Sequence, residues 1–262
     1  MMKQHFTPPQ LSLRFLPIWQ RHFLVWKKLA IPNMLGNLAD PIFYMLGFGY
    51  GIGSLMPHIE GVSYLSFLSA GSLCYSTMNS ASFETLYSGF SRMHVQKTWE
   101  AIMNTPLTLD DILLSELFWG ATKSLLSGAA ILIVIWGLGL EQDWALSLWA
   151  IPVAFLIGLT FSAMGLVMNA VSPGYEFFMY YFTLVITPMV LLGGVFFPTE
   201  RMPETFQSVA ACLPLTHALQ LVRPLIMGHI PHDIGRHILV MVAWGASSFW
   251  LATGLTRRRL LR

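Results

Sequence analysis

The residues of this chain that could do chemistry include one carboxylate and a row of hydroxyls within a long apolar run. Glu84 follows Ser69, Ser72, Ser76 and Ser80 at helical spacing. Residues three or four apart share one helix face, so these side chains form one polar seam. If the run crosses a membrane, a charge within it is costly and functional by default. The seam could line a pathway, or it could serve helix packing through small polar residues.

No other group of residues indicates catalysis. His229, His232, Asp233 and His237 cluster in the sequence, but their spacing is not that of a zinc site. The chain shows no Ser-His-Asp pattern and no paired carboxylates of the kind that acid–base chemistry uses. We therefore predict no catalytic residue, no metal site and no cofactor within this chain.

The composition indicates that lipid is the main solvent of this protein. Of 262 residues, 55% are hydrophobic and 11% are charged, and the mean hydropathy is +0.59. Soluble domains average about 25% charged residues. A net charge of +2 is too small to indicate nucleic acid as a partner. The polar start MMKQHFTPPQ does not resemble a cleavable signal peptide.

Six segments are apolar enough to predict membrane-crossing helices, which need roughly 20 residues each. The second is the weakest, because Ser, Thr and Asn interrupt it. We therefore predict an all-α integral membrane protein with six transmembrane helices. The segments are 36–56, 62–86, 112–139, 145–171, 177–197 and 234–256.

The distribution of Lys and Arg predicts the orientation, since basic residues are retained on the cytoplasmic side. Only Arg201, Arg223 and Arg236 lie in or beside the fifth connection. Both termini are therefore predicted to be cytoplasmic. The other twelve basic residues lie before the first span, between the second and third, in the inner half of the third, or after the sixth: Lys3, Arg14, Arg21, Lys27, Lys28, Arg92, Lys97, Lys123, Arg257, Arg258, Arg259 and Arg262.

A basic amphipathic helix is predicted over 17–30, ahead of the first span. One face holds Ile18, Trp19, Phe23, Trp26 and Ala30, and the other face is polar and basic. Such a helix is typical of the membrane interface. An ordinary helix packed on other parts of the chain is the alternative.

The loop 89–111 contains a second predicted helix. SRMHVQKTWEAIMN can form three to four turns, and Thr105-Pro106 must end them. Thr108 and Asp111 then have the spacing of a capping box at the start of the third span. A rigid surface helix with exposed Trp99 is suited to docking a partner. Glu84 could instead pair with Arg92 or Lys97 and brace this loop.

The fifth connection is long and interrupted by prolines. Its apolar pieces are too short to cross a membrane, which predicts helices that enter the outer leaflet and return. Glu200, Arg201 and Glu204 could gate the outer mouth, contact sugar hydroxyls or form a solvated cap. His217 and Arg223 are further candidate residues of this outer region.

Alternating glycines in the first span form two overlapping GxxxG patterns. Gly47 and Gly51 make one, and Gly49 and Gly53 make the other. Small residues at this spacing let helices approach closely. Either a subunit contact or packing within the chain would use them.

Two stretches together resemble a known family. RMHVQKTWEAIMNTPLTLDDI is similar to the loop between the second and third spans of ABC-2 type permeases. GGVFFPTERMPETFQSVAACLPLTHALQLVRPLIMG is similar to their fifth connection, which leads into re-entrant half-helices. The likeness extends over essentially the whole chain. It is greatest to the NodJ-type branch, which exports lipo-chitin oligosaccharides called nodulation factors.

The resemblance implies a cytoplasmic N-terminus with an interfacial helix (1–33) and an ABC-2 transmembrane domain (34–262), with coupling loop 89–111 and outer re-entrant region 198–233. It implies a homodimer in the bacterial inner membrane, with two ATP-binding subunits docked beneath it and holding Mg-ATP. Arg92, Lys97, Trp99 and Glu100 would contact those subunits. This chain has no GxxxxGK[ST] loop, so we predict a permease subunit and not an enzyme.

The implied function is ATP-driven export of an amphiphilic lipo-oligosaccharide or glycolipid. Drug or polysaccharide export by the same kind of permease remains open. Two rivals come from other classes: a proton-driven secondary transporter that uses Glu84, and a membrane-embedded lipid-modifying enzyme. Activity without an ATPase partner would favour the transporter, and a convergent cluster of acidic or His residues would favour the enzyme.

Overall fold

A computed structural model describes residues 6–55, 58–59 and 61–261 of the chain. Lys3 and Arg262, two of the basic residues used to predict the orientation, lie outside the described residues. So do Pro57 and Glu60 of the first predicted connection.

Helices dominate the architecture. A short hairpin of two two-residue strands, which the sequence analysis does not predict, joins helices α2 and α3. β1 (His58–Ile59) and β2 (Val62–Ser63) pair antiparallel. The helices are α1 (Leu16–Lys27), α2 (Ala30–Leu55), α3 (Tyr64–Phe83), α4 (Thr98–Met103), α5 (Leu109–Gly137), α6 (Trp144–Ser147), α7 (Ala150–Val171), α8 (Phe177–Tyr181), α9 (Thr187–Leu192), α10 (Glu204–Ala210), α11 (Pro214–Ile226) and α12 (Ile234–Leu260). Three π-helical turns lie at Glu84–Gly89, Ser91–Val95 and Phe182–Ile186.

Within the described residues, three helices are long and apolar enough to cross a membrane: Leu109–Gly137, Trp144–Val171 and Ile234–Leu260. Helices α10 and α11 would be a fourth if they form one broken span, and they meet at 87°. Helices α2 and α3 and the apolar run Phe177–Leu192 occupy the other predicted positions. The chain is therefore an all-α membrane protein.

The centre of the bundle is formed by α3, α5 and α7, with α12 against α7 and α2 against α3. Small residues allow the central helices to approach closely. A Cβ added at Gly158 of α7 would lie 2.6 Å from Cα of Ala121 in α5. A Cβ at Gly120 would lie 2.2 Å from the Ser162 hydroxyl oxygen. Real side chains do not fit at such distances, so these glycines set the spacing of α5 and α7.

The polar character of α3 follows from its place in the bundle. Ser69, Thr77 and Ala81 are fully buried, so protein surrounds most of this helix. Thr77 donates its hydroxyl hydrogen to the carbonyl of Leu73 or Cys74 within its own helix. A helix covered by other helices does not need the apolar surface that lipid requires. This burial explains why the second predicted span, which contains α3, is the weakest of the six in the sequence.

The 89–111 loop differs from the predicted single helix. A π turn ends at Val95, and Lys97 adopts a left-handed conformation with φ of 51°. Only α4, six residues long, follows before the chain turns ahead of Thr105-Pro106. The prediction of three to four continuous turns is therefore wrong, because a left-handed residue cannot continue a right-handed helix. The capping box of Thr108 and Asp111 is confirmed.

Candidate functional site

A buried ionic cluster lies at the end of the bundle that holds the 89–111 loop, called here the loop end. Glu84 accepts hydrogen bonds from Lys123 Nζ at 2.8 Å and from Trp119 Nε1 at 2.9 Å. Its other contact is Arg92, whose Nη2 lies 2.9 Å from Oε1. The Glu84 side chain is 4% exposed. Glu84 therefore braces the loop through Arg92, one of the two partners predicted for it.

Glu116 is the second carboxylate of the buried ionic cluster and is fully buried. It accepts from Arg92 Nε at 2.8 Å and from Trp99 Nε1 at 3.1 Å. The Nε2 atom of His22 in α1 lies 3.5 Å from the same carboxylate. Glu116 therefore joins α1, the loop and α5 at one point.

The local structure brings these groups together. Glu84 begins the π turn that follows α3, and Arg92 lies in the next one. Glu116 and Lys123 are seven residues apart in α5, which is two helical turns and places both on one face. Two carboxylates face Arg92 and Lys123, so the four charges balance. Burying unpaired charges would be strongly unfavourable, and this balance is what permits the site.

The predicted docking residues divide into two pairs. Lys97 and Glu100 are exposed, as docking requires. Trp99 is 2% exposed, so the prediction of an exposed tryptophan is wrong. Arg92 is 12% exposed and forms ion pairs inside the protein. Arg92 lies outside the six predicted spans; burial acts to lower the pKa of its guanidinium, but the carboxylates of Glu116 and Glu84 outweigh burial and raise that pKa further above its ordinary value.

Helix α1 is attached to α5 and also has an apolar outer face. Trp19 donates to the hydroxyl of Thr122 at 3.0 Å, and Ile18 is buried. Leu24 and Val25 are 62% and 59% exposed. Part of the predicted apolar face, Ile18 and Trp19, therefore packs on the chain, Leu24 and Val25 are not on that face, and a place in the membrane interface stays a prediction.

A second ionic contact at the loop end joins the start of α5 to the end of α12. Arg257 donates Nε to Asp110 at 3.0 Å, and Gln10 donates its backbone N–H to the same carboxylate at 2.8 Å. Ser12 donates to Asp111. The N-terminal segment, α5 and α12 are thereby held together beside the loop.

Sequence reasoning missed His22, Asp110 and Arg257 as partners in these networks. For Glu116 and Lys123, which lie near the inner end of the third predicted span, the sequence does predict anchoring or pairing, without naming the partners. Glu116 and Lys123 are opposite charges two turns apart within an apolar segment, and such charges seek buried partners. Nothing in the sequence indicates the pairing of Asp110 with Arg257, which are 147 positions apart.

The polar seam of α3 has two kinds of surroundings. Ser76 shares a hydrogen bond of 2.8 Å with Ser127 of α5, and Ser69 donates to the carbonyl of Ser66. Ser76 and Ser80 also line a cavity of about 190 Å³ between α2 and α3. The seam therefore serves helix packing on one side and borders a polar cavity on the other; a pathway role stays a prediction.

The two glycine patterns of α2 face in different directions. A Cβ at Gly49 would lie 2.3 Å from Leu65 Cδ1, and one at Gly53 would lie 3.7 Å from Tyr64. For a Cβ added at Gly47 or Gly51, no atom of the described residues outside its own helix turn would lie within 4 Å. The Gly49/Gly53 pattern thus packs α2 on α3, and the Gly47/Gly51 pattern lies on an open face.

The residues predicted for the outer re-entrant region also divide. Glu200, Arg201 and Glu204 are exposed. His217 is buried and shares a hydrogen bond of 2.7 Å with His237 of α12. Arg223 donates to the carbonyl of Gly194, and its guanidinium carbon lies 3.7 Å from the ring centroid of Phe67.

His217 and Arg223 therefore hold α11 within the bundle. A role in gating or sugar contact stays a prediction for the three exposed residues.

The fold and the buried ionic cluster define a membrane protein built from helices, in which a short loop is fixed to the bundle by charges. Comparison with known proteins gives the class: residues 14–227 match the family model described as ABC-2 type transporter. The chain belongs to this family, whose members are membrane transport subunits and not enzymes, and the family implies an ABC ATP-binding partner.

Relatives place the chain within the family. It is 44% identical to nodulation protein J of Rhizobium leguminosarum bv. trifolii over 254 residues, 97% of each chain. It is 43% identical to nodulation protein J of Rhizobium meliloti (strain 1021), over 97% of this chain and 96% of that one. It is also similar to the inner membrane transport permease YadH of Escherichia coli (strain K12), at 23% identity over 80% of this chain and 82% of YadH. The predicted NodJ-like ABC-2 permease is thereby confirmed.

Proposed function

We propose that this chain is the permease subunit of an ATP-driven exporter that moves an amphiphilic lipo-oligosaccharide out across the bacterial inner membrane. The observation that supports it best is the buried ionic cluster, which ties a loop with an exposed face to the membrane helices. A loop that only connected two spans would not need four buried charges. Such a connection is suited to transmitting force from a partner.

The proposed topology has six spans with both termini in the cytoplasm. The spans are α2, α3, α5, α7, the run Phe177–Leu192 and α12, and α10 with α11 enters and leaves the outer leaflet. The Lys and Arg distribution supports this orientation. The 87° bend between α10 and α11 suits a re-entrant pair.

Lys97 and Glu100 are the proposed contacts to the ATP-binding subunit, and Arg92 and Trp99 are the proposed transmitting residues. Movement of α4 changes the position of the Trp99 indole and hence its hydrogen bond to Glu116 in α5. A small shift at a docking site can be amplified because packed cores have discrete arrangements. Mg-ATP is bound by the partner and not by this chain.

Two copies of this chain with two ATP-binding subunits form the proposed assembly. The open face of α2 supports a subunit contact. Phe43 and Tyr50, 71% and 70% exposed, share that face with Gly47 and Gly51. Large apolar residues beside small ones suit close contact between helices.

The cargo proposal follows from the nodulation protein J relatives and from the resemblance stated above. Drug or polysaccharide export by the same permease fold is the alternative. A proton-driven transporter is disfavoured by the two cations that hold Glu84, because a carboxylate paired in this way resists protonation.

The test is co-purification with the ATP-binding subunit. Exchange of the two exposed loop charges, Lys97→Glu with Glu100→Lys, places like charges against the partner. We expect the amount of ATP-binding subunit that co-purifies with this chain to fall about tenfold or more. Glu200→Lys with Arg201→Glu, an equivalent exchange in the outer region, should leave retention unchanged.

Trp99→Phe separates transmission from docking. It retains a buried ring but removes the indole N–H that Glu116 accepts. We expect normal partner retention with reduced cargo-stimulated ATP hydrolysis. Full retention after the loop charge exchange would contradict docking at this loop, and export without any ATP-binding subunit would overturn the proposed function.

A further inference from the structure

A cleft of about 440 Å³ opens at the loop end beside the buried ionic cluster. Helix α1 forms one side, the π turns after α3 form another, and the early part of α5 and Tyr175 complete it. The proposed docking of the ATP-binding subunit uses the loop, and the proposed transmission of its movement uses Trp99 and Glu116. Neither role accounts for a cleft at this position.

Aromatic rings in two contacting pairs line much of the cleft. Trp26 lies edge-on to Trp119, with ring centroids 6.2 Å apart. Tyr87 and Tyr175 are nearly parallel, with ring centroids 6.1 Å apart and planes 8° apart. Tyr175 is 40% exposed. Rings of this kind combine a flat apolar face with a polar tip, which suits the C–H faces and hydroxyls of pyranose rings.

A polar atom of the cleft lacks a hydrogen-bond partner. Trp26 Nε1 is buried and forms no hydrogen bond within the part of the chain that the structure describes. An indole N–H can only donate, and a buried donor without an acceptor is costly. Trp26 is one of the residues that line the cleft. A ligand oxygen in the cleft would satisfy the Trp26 donor.

Arg21 offers donors to a ligand rich in acceptors. It lines the cleft together with Arg92, Lys123 and Glu84, and those three are already paired within the buried ionic cluster. Arg21 is exposed and is free to turn towards a ligand. Val25, which also lines the cleft, and its neighbour Leu24 are apolar and mostly exposed, which suits contact with an acyl chain in lipid.

We propose that this cleft binds the oligosaccharide head group of the exported amphiphile while its acyl chain stays in the membrane beside α1. The inference rests on the proposed function and adds a loading route: cargo enters laterally from the inner leaflet, sugar first, at the loop end. Binding beside Glu84 and Arg92 places the cargo in contact with the same cluster that the ATP-binding subunit would move.

The test measures binding of chitotetraose, a soluble sugar probe without an acyl chain, to the full chain with its ATP-binding subunit in lipid nanodiscs. Titration calorimetry gives the Kd. Trp26→Phe removes the unpartnered donor and should weaken binding about fivefold, the loss expected for one net hydrogen bond. Tyr87→Ala, which removes a stacking face, should weaken it by at least as much.

Trp144→Phe is the matched control, because Trp144 is 67% exposed and lies outside the cleft. It should bind the sugar as the unchanged protein does. Melting temperature and partner retention are recorded for each variant, so that a loss of folding is recognised. A folded Tyr87→Phe protein, which keeps the ring, should retain most of the affinity.

Equal affinity in all variants, or no sugar binding by the unchanged protein, would overturn the cleft assignment. Loss of sugar binding when phosphatidylglycerol is added to the nanodiscs, with no effect of the cleft substitutions, would also overturn it. That result would show that a lipid headgroup occupies the cleft. None of these results changes the retention of the ATP-binding subunit. Failure of the partner to co-purify at all, with sugar binding intact, would instead overturn the proposed function.

Discussion

At the scale of single residues, the buried ionic cluster costs desolvation free energy and in return fixes which side chains pair. Each carboxylate receives several donors: Glu84 from Lys123 and Trp119, Glu116 from Arg92 and Trp99. A buried ion pair is weak evidence for stability, but removing one partner leaves a charge without compensation. The cluster therefore fixes the position of the loop more than it strengthens the fold.

Glu116→Gln should be strongly destabilising, because the balance of charges is lost and Arg92 keeps only one carboxylate. We expect a loss of roughly 3–5 kcal/mol, seen as a lower melting temperature in detergent. Glu100→Gln is the matched control, since Glu100 is exposed, and it should change stability little. Adding Arg92→Gln to Glu116→Gln should recover part of the loss. Strictly additive effects would show that the two side chains do not interact.

His22 should make the stability of the protein depend on pH. Burial is the largest effect and lowers its pKa below the ordinary value of 6.5, although Glu116 acts in the opposite direction. The folded state therefore keeps the imidazole neutral at a pH where the unfolded chain binds a proton. Stability is retained above pH 6.5 and lost as the pH falls through the lowered pKa.

The measurement is the melting temperature between pH 7.5 and 5.5, compared with that of His22→Gln. The variant should lose less stability on acidification than the unchanged protein, and an identical pH profile would contradict the prediction.

At the scale of elements, α2 uses its two glycine patterns for two different contacts. Gly49 is covered by Leu65 of α3, and Gly47 faces open space. The difference arises because residues two apart in a helix point to different sides. The sequence shows both patterns equally, and only the position of α3 distinguishes them.

Leucine substitutions should separate the two contacts. Gly49→Leu should overpack α2 against α3 and cost about 1–3 kcal/mol of stability. Gly47→Leu should leave the melting temperature of the single chain unchanged and reduce the dimer fraction, measured by light scattering in detergent. Normal dimer formation by Gly47→Leu together with Gly51→Leu would exclude this face as the subunit contact.

The loop is the element that the sequence described least well. Its end at Thr105-Pro106 and its capping box were predictable, because proline geometry and helix capping act locally. The left-handed Lys97 was not, and neither was the burial of Trp99. Trp99 turns inward because Glu116 offers an acceptor in α5, a contact between segments that no local pattern encodes.

At the scale of the whole molecule, the orientation in the membrane can be tested with the two native cysteines. Cys74 is buried and Cys212 is exposed. In spheroplasts, a membrane-impermeant maleimide should label Cys212 from outside and should not reach Cys74. With Cys212→Ser and Lys97→Cys, labelling should require lysis, because the proposed topology places position 97 in the cytoplasm.

The Cys212→Ser protein without an added cysteine is the control and should remain unlabelled. Labelling of position 97 in intact spheroplasts would reverse the topology. It would also remove the loop from any cytoplasmic ATP-binding subunit.

The sequence by itself determined that this protein is a membrane protein, that it is helical, and that it is a NodJ-like ABC-2 permease. Composition, apolar run length and motif similarity are all properties of the chain alone. The tertiary structure decided which charges meet. Glu84, Arg92, Glu116 and Lys123 belong to different elements, and their pairing depends on how α3 and α5 pack.

The structure also decided that Trp99 faces inward, that one glycine pattern is internal, and that Trp26 and Tyr87 line a common cleft. The physical reason is the same in each case. A side chain's burial and partners depend on neighbours distant in sequence, whereas hydropathy and helix signals act over a few turns.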